Sequence, residues 1–127
     1  MIADIRVKRV YAAPDDADGL RVLVDALWPR GIAREKAMID LWLKEVAPSH
    51  GLRKRTHGDP ANWHLFPPDY AAELADGVGR EALERLRELA LKGPVTLLYA
   101  AKDEMRNNAT VLADILRTGD AVGTPSP

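Results

Sequence analysis

The run Asp25-Ala26-Leu27-Trp28-Pro29-Arg30-Gly31 follows directly on three apolar residues, Val22, Leu23 and Val24. A buried strand would stay apolar. This one breaks into an acid, an indole, a helix-breaking proline, a guanidinium and a glycine. Asp25 can hold or move a proton, and Arg30 can offer paired N–H donors to a phosphate or carboxylate. A second such run follows the apolar VTLLY, with Tyr99, Lys102, Asp103, Asn107 and Asn108. Asp103 suits a helix N-cap, and a helix starting there would aim its free amides at an anion. A third run, LRKRTHGDP, collects Arg53, Lys54, Arg55 and His57. Those cations suit a phosphate, and His57 suits general acid–base work, with Asp59 near in sequence.

Each feature has a structural alternative. Asp25 can pair with Arg30 while Trp28 packs in the core and Pro29-Gly31 makes a turn. Arg53 to Arg55 can be a solvated helix face, and His57 a structural residue ahead of a cap. Asn108 shares helical spacing with Met105 and Leu112, so it faces inward and must find hydrogen bonds, by clamping a loop or touching a ligand. Asn107, one step around, reaches the cleft rim. No metal site is expected, because His50, His57 and His64 lack the i,i+3 or i,i+4 spacing that puts two ligands on one helix face. No cofactor is expected either, since G-x-S-x-G, Walker A and G-x-G-x-x-G motifs are all absent. Ser49 and Ser126 are the only serines and there is no cysteine, which disfavours a covalent nucleophile.

These candidates need elements to position them. Ile5, Val7 and Val10 alternate with charges and predict an edge strand. The loop APDDADG is rich in turn formers and belongs at the surface. Arg21 to Leu27 predicts a buried strand, antiparallel to the first because the loop between them is short. In REKAMIDLWLKEVAPS, Met38, Leu41, Trp42 and Val46 fit a helix face. Ile39, Leu41 and Leu43 fit a strand face equally well. Ser49 caps a short helix carrying Leu52 to Arg55, and Asp59-Pro60 starts another. Trp63, Phe66, Tyr70 and Leu74 keep helical spacing, with Pro67-Pro68 splitting the run and Gly77 and Gly79 closing it. Arg80 to Lys92 predicts an amphipathic helix stopped by Gly93. Val95 to Ala101 predicts a central strand, and Asp103 caps a last helix with Met105, Ala109, Leu112 and Leu116 inward. Strand, helix, strand and helix in this order imply an α/β domain. Its expected form is a small, mostly parallel sheet of about four strands flanked by helices, spanning residues 1–117, with a flexible tail over 118–127. In such sheets ligands bind beyond the carboxyl ends of the strands.

The chain has 127 residues, 46% hydrophobic and 29% charged, with a net charge of −1. That balance suits one soluble domain and disfavours nucleic acid as a partner, leaving Arg53 to Arg55 and the strand cations Arg6, Lys8 and Arg9 as its footholds. The lack of cysteine, of a signal-peptide core and of a long apolar run points to the cytoplasm and away from membranes. Nothing here sets the oligomeric state. The leading expectation is a small anionic ligand at the sheet edge, held by Trp28, Arg30, Gly31, Arg53, Tyr99, Asp103 and Asn107, with Asp25 or His57 handling protons. A nucleic-acid module and a non-catalytic interaction domain are the alternatives.

The segments VDALWPRG, LWLKEVAPS, LRKR, DPANW, GPVTLLYAAKDE and NNATVL resemble, in this order, the YeaO-like family, a branch of a larger bacterial superfamily of unknown function. The resemblance covers Ile5 to Leu116 and is most specific over Asp25 to Gly31. It implies a compact α/β domain with Asp40 to Val46 extended, and it brings no established activity, substrate or cofactor. The matching positions are Asp25, Trp28 to Gly31, Pro48, Ser49, Arg53, Asp59, Pro60, Tyr99, Asp103 and Asn107. Ala33, Gly58, Arg106 and Asn108 depart from it. The family's usual residue is serine or lysine at Ala33, and histidine at the other three.

Overall fold

The computed structural model of the chain describes residues 4–57 and 59–118. The expected tail therefore lies, beyond Thr118, outside the described residues. Four strands, β1 (Ile5–Arg9), β2 (Leu20–Leu23), β3 (Leu41–Trp42) and β4 (Val95–Tyr99), form a sheet in the order β1-β4-β2-β3. Every adjacent pair is parallel. The helices are α1 (Arg34–Ala37), α2 (His50–Thr56), α3 (Phe66–Glu73), α4 (Gly77–Lys92) and α5 (Asn108–Thr118). β4 is buried along its whole length, as a continuous apolar strand with a neighbour on each side requires.

The expected antiparallel pairing of the first two strands is wrong. β4 lies between them, and the segment joining them crosses over it. That segment lies at the surface, as expected, with residues 11–17 exposed, but its end at Asp18 is buried. Its 3-10 turn, Asp16–Asp18, is pinned to β4 by the Thr96 hydroxyl, which donates to the Asp18 carbonyl at 2.7 Å. The chain then passes so close to β4 that a Cβ on Gly19 would sit 2.3 Å from the Pro94 carbonyl oxygen, and Gly19 adopts φ 63°. Only glycine fits there.

One face of the sheet carries the main core. Ile5, Val22, Val24, Val95, Leu97 and Tyr99 meet Leu52, Phe66, Tyr70, Leu83, Leu86 and Leu112 from the helices. The other face has a smaller cluster of Val10, Leu23 and Leu98 under Trp28, Ile32, Ile39 and Trp42. The ambiguous segment divides. Leu41–Trp42 is extended, while Lys44–Val46 winds into a 3-10 turn, so only the first part is strand. Pro67-Pro68 does split its helix, into a 3-10 segment Pro60–Leu65 and α3.

Four boundaries differ from expectation. Gly77 starts α4 instead of closing a helix, with φ 65° turning the chain into it. Gly93 follows α4 in an extended conformation and is no left-handed cap. β2 stops at Leu23, not Leu27, because the Asp25 carboxylate takes the Ala100 N–H that a further β2 carbonyl would accept. The last helix begins at Asn108. Met105 lies before it and is 82% exposed.

Candidate functional site

The parallel register brings the ends of β1, β4 and β2 to one edge, and a cavity of about 360 Å³ opens there. Asp25, Trp28, Arg30, Arg53, His57 and Asn108 line it, with Tyr11 and Ala100 from the neighbouring strand ends. This is the edge where ligands of open α/β sheets collect.

Asp25 does not pair with Arg30. Its Oδ2 accepts from the Ala100 N–H at 2.9 Å and its Oδ1 from the Asn108 amide at 3.2 Å. Asn108 also donates to the Val24 carbonyl at 3.0 Å, so α5 clamps the end of β2, as the inward spacing of that amide suggests. Burial pushes the Asp25 carboxyl above its ordinary range. The two hydrogen bonds and the positive charge of Arg53 offset this only in part. Arg9, expected only as a nucleic-acid contact, braces the same place. Its guanidinium donates to the Ala101 carbonyl at 2.9 Å and to the Ala100 carbonyl at 3.1 Å, fixing the loop whose amide holds Asp25.

Arg53 comes from α2, whose N-cap is Ser49. The Ser49 hydroxyl accepts from the Leu52 N–H at 3.1 Å, and its backbone N–H donates to Glu73 at 2.8 Å. This anchor sets which side chain of Arg53, Lys54 and Arg55 meets the cavity. Lys54 is exposed, and Arg55 turns away to Asp69 at 3.8 Å. Arg53 enters the cavity, and its Nε is buried without a hydrogen-bond partner. A buried donor left unpaired is unfavourable by about 1–3 kcal/mol, more for a charged group.

His57 lines the cavity at the end of α2, its ring edge-on to Phe66 at 4.8 Å and to Trp63 at 5.6 Å. Its Nδ1 lies 3.1 Å from the Thr56 hydroxyl, whose single proton goes to the Leu52 carbonyl at 2.8 Å. Nδ1 is therefore the donor, which leaves Nε2 to accept. Burial, and then the charge of Arg53, hold His57 below its usual titration range, so the neutral ring is favoured. Asp59 does not touch it. Asp59 caps the next turn, accepting from the Ala61 N–H at 2.9 Å.

The run from Trp28 to Gly31 divides in role. The Trp28 indole N–H donates to the Ile32 carbonyl at 2.7 Å, and its ring packs edge-on against Trp42 at 5.5 Å. Arg34 covers it at 4.6 Å. Trp28 thus caps the smaller core while one side borders the cavity. Arg30 is exposed, and its carbonyl accepts from the Tyr11 hydroxyl at 2.9 Å. Gly31 adopts φ 78° beside open space, so a backbone turn alone explains it.

Three expected ligand residues stand elsewhere. Tyr99 borders a separate cavity between β1 and α5. Asp103 accepts from the Met105 and Arg106 amides at 2.9 and 3.0 Å, capping a turn ahead of α5. Asn107 is fully buried and caps α5 itself, accepting from the Thr110 N–H at 2.9 Å. The helix N-terminus expected at Asp103 thus belongs to Asn107 and is closed by it. Alternating side-chain direction and the strand order decide these placements, and neither is visible from residue types. Among the described residues no group of three histidine, cysteine or acidic side chains could hold a metal. None of their helices is long and apolar enough to cross a membrane.

The chain matches a family model described as the inactive DUF488-N3 subclade over residues 4–122. It is similar to the uncharacterised protein YeaO of Escherichia coli strain K12, at 46% identity over 115 residues, or 91% of this chain and 98% of that protein. The uncharacterised protein Rv3073c of Mycobacterium tuberculosis strain H37Rv is 41% identical over 112 residues, or 88% and 92% of the two chains. No solved structure matches. A match across nearly all of the sheet, the helices and the cavity lining makes the chain a member of the inactive DUF488-N3 subclade, the group to which the YeaO-like resemblance points.

Proposed function

We propose that the protein binds a small molecule bearing a carboxylate or phosphate at the C-terminal edge of its sheet, and that it holds this ligand without transforming it. The observation that carries the reading is Arg53, which lines the cavity and meets no acid in an ion pair among the described residues. An anion accepting from its guanidinium would gain a charge-assisted hydrogen bond. Arg30, at the mouth of the same cavity, adds a second positive charge.

Binding without chemistry follows from how the reactive groups are occupied. Both Asp25 oxygens already accept hydrogen bonds, which favours a positioning acid over a mobile base. Ser49, the one serine among the described residues, is committed to Glu73 and to the α2 cap. The family description as inactive agrees with this. The nucleic-acid reading loses support because its cations are dispersed. Arg53 turns inward and Arg55 meets Asp69. On β1, Lys8 meets Asp18 and Arg9 serves the carbonyls of residues 100 and 101.

The test is an ¹⁵N spectrum of the arginine Nε–H groups during titration with inorganic phosphate and with propionate. The Arg53 resonance should shift saturably with at least one of them, and Arg53→Gln should weaken that binding about tenfold or more. A silent Arg53 resonance with both anions would sink the reading. Hydrolysis of a phosphate ester that disappears in Asp25→Asn would overturn the non-catalytic part.

A further inference from the structure

A second cavity of about 300 Å³ lies beside the first, lined by Thr56, His57, Pro60, Trp63, Ala101, Lys102, Asp103 and Arg106. The two share His57 and Ala101 as a common wall. They lie side by side as two lobes on either side of that wall. The first lobe holds Arg53 and Arg30, the second Lys102 and Arg106. Neither lysine nor arginine of the second lobe enters an ion pair among the described residues. The one acid in that lobe, Asp103, has its Oδ1 filled by two backbone amides.

The second lobe has an aromatic side, Trp63, backed by the buried Phe66. Trp63 stacks on Phe66 with ring centres 5.0 Å apart and planes 19° from parallel, and His57 stands edge-on to both. Pro60 extends that side. These rings brace one another, so the position of the wall shared by the two lobes is set by the fold.

We infer, resting on the anion reading above, that the ligand is a diacid. One acidic group meets Arg53, a short apolar spacer lies against His57 and Ala101, and the second acidic group meets Lys102 and Arg106. A monoacid can satisfy one lobe only. A molecule carrying both groups makes the second contact intramolecularly, at an effective concentration fixed by the spacer.

Calorimetric titration with unbranched alkane dicarboxylates of increasing length, each beside its monomethyl ester, tests this. At one best length the diacid should bind about tenfold tighter than its own ester. Lys102→Gln with Arg106→Gln should erase that advantage, leaving ester affinity and Tm unchanged, since neither side chain holds the fold. Arg53→Gln should weaken diacid and ester alike. Equal affinity of diacid and ester at every length overturns the inference, and ester binding that still depends on Arg53 leaves the anion reading standing. An advantage that survives the double substitution also overturns it. Binding of neither compound overturns it too, and the phosphate titration then decides the anion reading separately.

Discussion

Strand β2 has a buried or half-buried acid beyond each end, and the two are handled in opposite ways. Before the strand, Asp18 is 3% exposed and contacts two cations: Lys8 at 2.9 Å and Arg21 at 2.5 Å. It also accepts from the Asp15 N–H at 3.1 Å. Arg21 also donates to the Met38 and Ala37 carbonyls, at 2.8 and 3.3 Å. Every charge there has a partner in contact. After the strand, Asp25 contacts two neutral donors, and the cation beside it, Arg53, has a buried N–H to spare. Burial works to raise the carboxyl of both. At Asp18 the hydrogen bonds from Lys8, the Asp15 amide and Arg21 overcome it and the carboxyl titrates low. At Asp25 burial wins and it titrates high. A closed charge network holds a fold together, whereas an open one leaves room for something from outside.

The sharpest way to break this contrast is at its closed end. Asp18→Asn keeps the shape but strands Arg21, which has a side chain only 6% exposed. Removing one partner of a buried pair is destabilising by about 3–5 kcal/mol. Urea unfolding should show the loss near neutral pH, and adding Arg21→Met should recover part of it, because the buried guanidinium is then gone and the cation that remains, Lys8, is partly open to solvent. The Asp18 carboxyl titrates lower folded than unfolded, so its contribution is present above the ordinary carboxylate range and fades as pH falls through its lowered value. The variant should therefore lose most of its deficit in acid. A deficit independent of pH would mean that packing, and not the charge network, holds this end.

The next effect concerns the clamp at the open end. Asn108→Ala removes both the bond to the Val24 carbonyl and the bond to Asp25. A buried carbonyl left unsatisfied corresponds to roughly 1–3 kcal/mol. The Asp25 carboxyl should also titrate higher still, since a bond favouring its ionised form is gone. Carbon-13 carboxyl shifts against pH report this directly. An unmoved Asp25 titration would place the control of that acid with Ala100 and Arg53 instead.

The two ends also differed in how far the sequence revealed them. Asp25 stands out because it interrupts an apolar run, and the site edge follows from the strand that it ends. Asp18 sits in a polar run, PDDADG, that resembles solvated loop. Only strand order shows that this run crosses β4, where Thr96 and Lys8 receive it. The continuous apolar β4 and the amphipathic α4 were legible because one periodicity fits each. Arg53 was not separable from Lys54 and Arg55 by type. The Ser49 anchor fixes the phase of α2, and neighbouring helical residues diverge by about 100°. Asp103 and Asn107 are both good capping residues, and type alone favours the first. The chain uses both, one for a turn and one for the helix.

The smallest effect is also the most direct reading of the open end. Asp25→Asn keeps an oxygen for the Ala100 N–H, removes the charge, and gives up the bond from Asn108, a loss that is the same at every pH. Because the Asp25 carboxyl titrates higher folded than unfolded, ionising it works against the fold. Its penalty is absent in acid, grows as pH rises from the ordinary carboxylate range through the raised value, and is fully present above that. The slope is opposite in sign to that of Asp18. The variant's Tm should thus gain on the parent's from acid to neutrality, by a degree or so. Loss of the negative charge beside Arg53 should also tighten phosphate binding several-fold, since like charge at the site is removed. A variant whose stability relative to the parent falls as pH rises from acid to neutral would show that the ionised Asp25 stabilises the fold as Asp18 does, and the contrast between the two ends of β2 would collapse.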